Sequence, residues 1–127
     1  MVSFEAFRTV DGTPVYLQSI HFIKRGAIAG TIRDGDELPS RRVLSALLGI
    51  NPNTVQKAFH MLEEEHLMES RTGAKSCMTL PPDTLDALRR EVLSDELRAM
   101  ARTLRQLGIS REEALRLIEQ AWKEEEG

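Results

Sequence analysis

The sequence predicts a mainly α-helical protein with one small β-hairpin, followed by a separate two-helix tail. Apolar residues recur at helical spacing in three segments before residue 66, and a short glycine-containing stretch of strand character follows at 67–80. After Pro81 and Pro82 the composition shifts to charged helix formers. The 127 residues suffice for one ordinary domain, or for a small domain with an appendage. We therefore predict domains at 1–80 and 83–124.

The first helix is predicted over 14–29. Thr13 is the expected N-cap, with Pro14 at the first helical position, and Gly30 is the expected stop. Its apolar face comprises Leu17, Ile20, Ile23 or Phe22, Ala27 and Ile28. Residues 31–37 are predicted to form a turn around Asp34 and Gly35.

The residues before this helix, 2–8, are interpreted as an extended arm. Its two aromatic residues, Phe4 and Phe7, are expected to pack on the domain.

Two further helices are predicted over 41–48 and 52–65. Ser40 should cap the first of them, and Asn51, followed by Pro52, should cap the second. The expected buried residues are Val43, Leu44, Leu47 and Leu48 in one helix, and Val55, Ala58, Phe59 and Leu62 in the other. A link of about three residues around Gly49 forces a sharp crossing, which is the helix-turn-helix arrangement.

Residues 67–80 are predicted to form a strand, a turn at 72–75 and a second strand, with Gly73 supplying the turn. Such a hairpin after the third helix is a wing. The fold class is therefore a winged helix-turn-helix domain with a C-terminal two-helix hairpin.

The tail at 83–124 is predicted to form two helices that break at Gly108 and restart with a capping box from Ser110 to Glu113. A lone α-hairpin cannot bury its apolar faces, so we expect these faces to pair with a second copy in a homodimer. The expected dimer-interface residues are Leu93, Leu97, Met100, Leu104, Leu117, Ile118 and Trp122.

The net charge of −3 lies entirely in the tail, because residues 1–80 carry nine Lys or Arg and nine Asp or Glu. What matters for a nucleic-acid partner is a local basic face, and the acidic run 63–65 falls at the far end of the third helix, away from its polar tip. The chain has no apolar run that could span a membrane, no signal peptide is expected, and its one cysteine, Cys77, fits a reducing cytosol. No catalytic set, metal-ligand pattern or cofactor motif is visible, so neither an enzyme nor a cofactor is expected.

Small polar side chains crowd the first turns of the third helix, which is the arrangement that offers amide and hydroxyl groups to base edges. We therefore predict binding to double-stranded DNA. Asn53 and Gln56 are the favoured base-reading residues, and Arg42 is expected to grip a guanine or a phosphate with its planar fork. The complete set of predicted DNA-binding residues is Ser40, Arg41, Arg42, Asn51, Asn53, Thr54, Gln56, Lys57, Arg71 and Lys75.

Several of these residues have more than one interpretation. Ser40 and Asn51 are helix caps first, and Ser40 can also bind phosphate at the helix N-terminus. Arg41 is either a phosphate contact or a solvated charge, and Thr54 can touch a base or a phosphate. Lys57 is expected to contact a phosphate.

Three linked motifs resemble the GntR family of winged helix-turn-helix transcription regulators, and specifically its short YtrA-type members. They are PVYLQ at 14–18, GDELPSRR at 35–42 and NPNTVQKAF at 51–59. The resemblance implies a bacterial, cytoplasmic, homodimeric regulator, usually a repressor, that binds a palindromic operator, often beside genes for an ABC transporter. It gives no effector.

The chain departs from the family pattern at two places. His66 stands where the family has glycine, so the turn there needs another residue to take a left-handed conformation, or a looser cap. In the wing, Thr72 replaces an arginine and Lys75 a second glycine, so that Lys75 can supply a phosphate contact.

The rival interpretation is a protein–protein adaptor built on the same fold. The zero net charge of residues 1–80 and the acidic tail favour it.

Overall fold

The computed structural model describes residues 1–71 and 75–127. It contains five helices and two strands in these ranges, and the chain divides into two compact units, Met1–Arg89 and Arg90–Gly127. The elements are α1 (Val15–Ala29), α2 (Arg41–Leu48), α3 (Pro52–Glu64), β1 (Met68–Arg71), β2 (Lys75–Met78), α4 (Pro82–Gln106) and α5 (Arg111–Glu126). This confirms the predicted fold class. The turn assigned to Thr72 and Gly73 lies outside the described residues. None of the described helices combines the length and the apolar character that crossing a membrane requires.

The start of α1 differs from the prediction. Pro14 occupies the N-cap position with an extended backbone, and Thr13 makes no capping bond. Thr13 instead gives its carbonyl to the side chain of Gln18, whose Nε2 donates to it over 2.7 Å. The predicted stop is confirmed, because Gly30 has a φ of 88° in the left-handed region, which glycine adopts without strain.

The caps of α2 and α3 are as predicted. Ser40 Oγ accepts a hydrogen bond from the Val43 amide at 3.2 Å, and Asn51 Oδ1 accepts one from the Asn53 amide at 2.8 Å. Each bond satisfies one of the amides that a helix N-terminus leaves without a partner. Both helices therefore begin at fixed positions, with their first turns facing solvent.

The core of the first unit lies where α3 meets α1, α2 and the wing. The stripe predicted on α3 is confirmed, since Val55, Ala58, Phe59 and Leu62 are all buried. Ile23 of α1 and Met78 of β2 are buried with them. Burial of a large apolar side chain such as Val55, Phe59 or Leu62 contributes roughly 1.5–3 kcal/mol, so this stripe is what mainly holds α3 against the core.

The burial predicted for α2 is wrong for two residues. Leu44 is buried, but Val43 and Leu47 are 50% and 62% exposed, and Leu48 is partly buried. Val43 and Leu47 are four residues apart, so they lie on one side of α2, and in the structure that side is turned away from the core. That face lines a shallow groove with the N-terminal segment.

The segment predicted to be a plain turn at 31–37 also pairs with the wing. Gly35 donates to the Met78 carbonyl, Met78 donates to the Asp36 carbonyl, and Leu38 donates to the Ser76 carbonyl, each over 2.8 Å. Glu37 thereby forms a bridge opposite Cys77, whose free thiol is buried. The hairpin β1–β2 thus has a third, short neighbour that leads directly into Pro39 and α2.

The N-terminal residues pack on α1. The rings of Phe4 and Phe7 lie with their centroids 5.3 Å from that of Phe22, which confirms their predicted packing. The segment is not simply extended, because Phe7 donates a backbone hydrogen bond to Phe4 in a turn. Val2 is buried and donates to the Glu37 carbonyl at 2.8 Å.

At the end of α3, His66 itself takes the left-handed conformation, with a φ of 62°. Its amide donates to the Glu63 carbonyl, and the Leu67 amide donates to Leu62. A side chain in this region of backbone space costs roughly 1–2 kcal/mol, and the hydrogen bonds and the burial of Leu67 hold it there.

The second unit contains the later part of α4 and the whole of α5. Gly108, with a φ of 78°, turns the chain between them, and Ser110 Oγ accepts from the Glu113 amide at 3.2 Å, which confirms the predicted cap of α5. No residue of α5 is buried within the single chain. A groove of about 580 Å³ separates the two helices, and apolar side chains line most of it. They include Leu97, Met100, Leu104, Ile109, Ala114, Leu115 and Ile118.

Candidate nucleic-acid interface

A surface groove of about 780 Å³ lies where the N-terminal turns of α2 and α3 meet the wing. Its lining residues are Pro39, Ser40, Arg41, Arg42, Pro52, Gln56, Phe59, Glu63, Ser70 and Ser76. Four of the predicted DNA-binding residues, from two helices, therefore share one cleft. We refer to it as the reading groove.

The α2 side of the reading groove carries two guanidinium groups. Pairing of Leu38 with Ser76 fixes the chain next to the wing, and Ser40 then starts α2, so Arg41 and Arg42 occupy its first turn. Both are exposed, and neither forms an ion pair or hydrogen bond with any residue in the described ranges. Two unpaired cations at a helix N-terminus, where backbone amides also point outward, form a site suited to an anion.

The tip of α3 presents its polar side chains in two directions. Gln56 lines the reading groove. Asn53 is exposed and Thr54 partly buried on the first turn, and neither lines the groove. The side-chain oxygen of Asn51 accepts the capping hydrogen bond, and its side-chain NH2 group can donate to a ligand.

Lys57 has a partner that the sequence did not reveal. Its Nζ lies 4.6 Å from the centre of the Tyr16 ring, within the range of a cation–π interaction. Tyr16 therefore fixes the position of an exposed ammonium group on α3, outside the reading groove. A cation held over a ring face still has donors free for a phosphate.

The two predicted wing cations are both paired. Arg71 Nη2 lies 3.1 Å from Glu69 Oε1, and Lys75 Nζ lies 3.6 Å from Glu37 Oε1. Lys75 belongs to β2, opposite Arg71, rather than to the predicted turn. Exposed ion pairs of this kind are worth at most about 1 kcal/mol, so a phosphate can compete for either cation.

The reading groove also contains residues that the sequence interpretation missed. Ser70 and Ser76 contribute hydroxyl groups from the wing. Glu63, expected to lie away from the polar tip, lines the same groove and accepts a hydrogen bond from Ser70 Oγ at 3.0 Å. Helical spacing could have indicated this, because residues seven apart, such as Gln56 and Glu63, share one face. The other two acidic residues do point elsewhere, since Glu64 pairs with His60 and Glu65 with Lys24.

In the described residues, no group of three or more His, Cys, Asp or Glu side chains is placed to hold a metal ion. What the arrangement provides is a set of fixed hydrogen-bond donors and acceptors on a short helix pair, flanked by a β-hairpin. This arrangement is that of a winged helix-turn-helix domain.

Comparison with known proteins shows what the helix-turn-helix region is similar to. Residues 17–75 match the model of bacterial regulatory proteins of the gntR family. The solved structure of a GntR family transcriptional regulator from Listeria monocytogenes superposes with a TM-score of 0.80 at 27% identity, covering 88% of this chain and 98% of that one. The helix-turn-helix domain is therefore a domain of the GntR type found in bacterial transcription regulators.

Two relatives from Bacillus subtilis extend this assignment. The HTH-type transcriptional regulator YhcF is 28% identical over 102 residues, which cover 80% of this chain and 84% of YhcF. The HTH-type transcriptional repressor YtrA is 41% identical over 63 residues, which cover 50% of this chain and 48% of YtrA. The chain thus matches about half of YtrA's length and most of YhcF's.

Proposed function

We propose that this protein is a homodimeric, sequence-specific DNA-binding transcription repressor that acts on a palindromic operator in the bacterial cytoplasm. The observation that carries the proposal is the reading groove, in which Arg41 and Arg42, without ion-pair partners among residues 1–71 and 75–127, lie in the same cleft as Gln56. Phosphate neutralisation by such cations supplies affinity, and the amide supplies a pattern of donors and acceptors that a base edge can match.

In this proposal α3 enters the major groove with its N-terminal turns foremost. Asn53 and Gln56 read adenine by paired hydrogen bonds, and Thr54 meets a thymine methyl group or a phosphate. Arg42 grips guanine O6 and N7, or a phosphate, while Arg41 contacts the backbone. Asn51 and Ser40 serve as caps, and Ser40 adds a phosphate contact at the N-terminus of α2.

Three further cations complete the proposed footprint. Lys57, positioned by Tyr16, contacts the phosphate backbone. Arg71 and Lys75 exchange their surface carboxylate partners for phosphates when the wing meets DNA. These contacts position the domain and carry no sequence information of their own.

Dimerisation is assigned to the second unit. The apolar side chains of this unit are exposed in the single chain. A second copy of the chain covers them and brings a second DNA-binding domain to the other half-site. The repressor role is supported by the similarity of the helix-turn-helix region to the transcriptional repressor YtrA, which is 41% identical over 63 residues. Control of genes for an ABC transporter is proposed from the family resemblance alone.

The sharpest test of the reading groove is a pair of substitutions at Arg42. Arg42→Ala should weaken operator binding by about 1–3 kcal/mol if the fork contacts a base. Arg42→Lys keeps the charge and separates the two roles, since a phosphate contact should survive it and a guanine contact should not. Binding is measured by fluorescence anisotropy on operator and mismatched duplexes.

Arg33→Ala is the matched control, because Arg33 is an exposed arginine of the same unit outside the reading groove. If a folded Arg42→Ala protein binds the operator as tightly as the Arg33→Ala control does, Arg42 is not part of the interface.

Besides the charge distribution of the sequence, the adaptor function is favoured by the carboxylate of Glu63 within the reading groove. A salt titration separates the two functions. DNA affinity that falls steeply with salt concentration reflects counterion release from phosphates. Absence of measurable duplex binding at low salt would favour the adaptor.

A further inference from the structure

Among the residues that the structure describes, Glu63 is the one carboxylate that lines the reading groove, and it faces the same surface as Arg41 and Arg42. It is partly buried, and Ser70 of β1 donates to its Oε1 at 3.0 Å, so the wing holds the carboxylate in place. This hydrogen bond favours the conformation in which the carboxylate faces the cleft.

The neighbouring carboxylates show the contrast. Glu64 lies 3.0 Å from His60 on an exposed helix face, and Glu65 lies 2.8 Å from Lys24. Neither lines the reading groove. Of the three consecutive acidic residues, only Glu63 is placed where a DNA-facing effect is expected.

A negative charge at this position repels phosphate, whatever the base sequence of the duplex. A carboxylate can also accept a hydrogen bond from the exocyclic amino group of cytosine, which a correctly docked site can supply. Placing the Glu63 carboxylate against DNA therefore weakens the binding of every duplex. Only a duplex that donates a hydrogen bond to this carboxylate offsets the loss of binding free energy. Discrimination is built by such a penalty against the wrong partner as well as by attraction to the right one.

We propose that Glu63 is a specificity-determining residue, whose carboxylate, oriented by Ser70, lowers affinity for non-operator DNA more than for the operator. The inference rests on the proposed DNA-binding function and concerns a residue that this function does not otherwise use.

The test measures binding of full-length protein to two duplexes at several salt concentrations. One duplex is the sequence enriched by selection from a random pool, and the other is a shuffled sequence of equal length. Glu63→Gln keeps the size and an acceptor for Ser70 but removes the charge. It should tighten binding to the shuffled duplex about threefold to tenfold and lower the ratio of operator to shuffled affinity by at least threefold.

Two matched variants isolate the cause. Glu64→Gln removes the same charge one residue away, outside the reading groove, and should leave the affinity ratio within twofold of wild type. Ser70→Ala keeps the carboxylate and removes the donor that orients it, so affinity for the shuffled duplex should rise, but by less than it does in Glu63→Gln. If Ser70→Ala raises that affinity as much as Glu63→Gln does, release of the wing and not the charge is responsible, and the inference is overturned.

The outcomes also separate this inference from the function on which it rests. A wild-type protein that prefers no duplex over the shuffled one overturns both. A wild-type protein that discriminates, together with an unchanged ratio in Glu63→Gln or an equal change in Glu64→Gln, overturns the role of Glu63 alone.

Discussion

Replacing Leu97 with alanine should weaken the proposed dimer without unfolding the chain. Leu97 is 61% exposed in the single chain, so its side chain adds little to the stability of its own unit. Leu→Ala removes three carbon groups, each worth about 0.8 kcal/mol when it is fully buried. The accessible three-fifths of that surface corresponds to about 1.5 kcal/mol per protomer, or about 3 kcal/mol in a symmetric dimer. The dimer dissociation constant should therefore rise about a hundredfold.

Sedimentation velocity over a range of protein concentrations measures that constant directly. Val10→Ala is the matched control, because Val10 is 67% exposed but belongs to the first unit. Its dissociation constant should equal that of the wild type, and circular dichroism should show that both variants keep their helices.

The reasoning fails if Leu97→Ala dissociates no more readily than Val10→Ala does. That result would mean that the apolar stripe of α4 does not form the contact between copies. Either another surface would then form the dimer, or the protein would not dimerise.

Three further substitutions test the local energetics of the first unit by urea denaturation. His66→Gly should raise the free energy of unfolding by about 0.5–1 kcal/mol, because glycine adopts the φ of 62° without strain; a lower value would show that the histidine side chain contributes more than the strain costs. Thr79→Val should be neutral or raise it by up to about 1 kcal/mol, since Thr79 Oγ1 is buried with no hydrogen-bond partner in the described residues. A large loss would show that this hydroxyl has a partner. Asp34→Ala should lower the free energy by about 1–3 kcal/mol, because it removes the acceptor 2.7 Å from the partly buried Leu80 amide. A neutral result would mean that water replaces the carboxylate there.

Much of α3 could be predicted because its signals are local. A cap at Asn51, a proline after it and an apolar residue every three or four positions define the helix and its buried face together. The same reasoning made Gln56 a predicted base-reading residue, because it lies on the solvent side of that stripe near the capped end. The structure places Gln56 in the reading groove.

The failures in α2 and in the turn before it have a different origin. An eight-residue helix buries a narrow stripe, and apolar side chains such as Leu47 cannot be assigned to core or surface until the neighbouring elements are placed. The pairing of Gly35–Leu38 with β2 joins segments about forty residues apart, and such long-range pairing leaves no periodic pattern in the sequence. Yet this pairing is what positions Arg41 and Arg42 beside the wing.

The boundary between the two compact units lies after Arg89, later in the chain than the boundary predicted near residues 80–83. Leu88 is buried, and the first turns of α4 belong to the first unit, which extends to Arg89. A truncation designed to remove only the proposed dimerisation region should therefore end after residue 89 and not after 82.

The measurement that tests the central claim most directly is selection of bound duplexes from a random pool, using the full-length protein at physiological salt. The proposed function predicts enrichment of an inverted repeat, with half-site centres separated by one helical turn of about 10 base pairs or a multiple of it. The enriched duplex should lose affinity on mutation of either half-site. A pool with no enriched sequence after repeated rounds would contradict sequence-specific DNA binding, and a single, unrepeated site would contradict binding as a symmetric dimer.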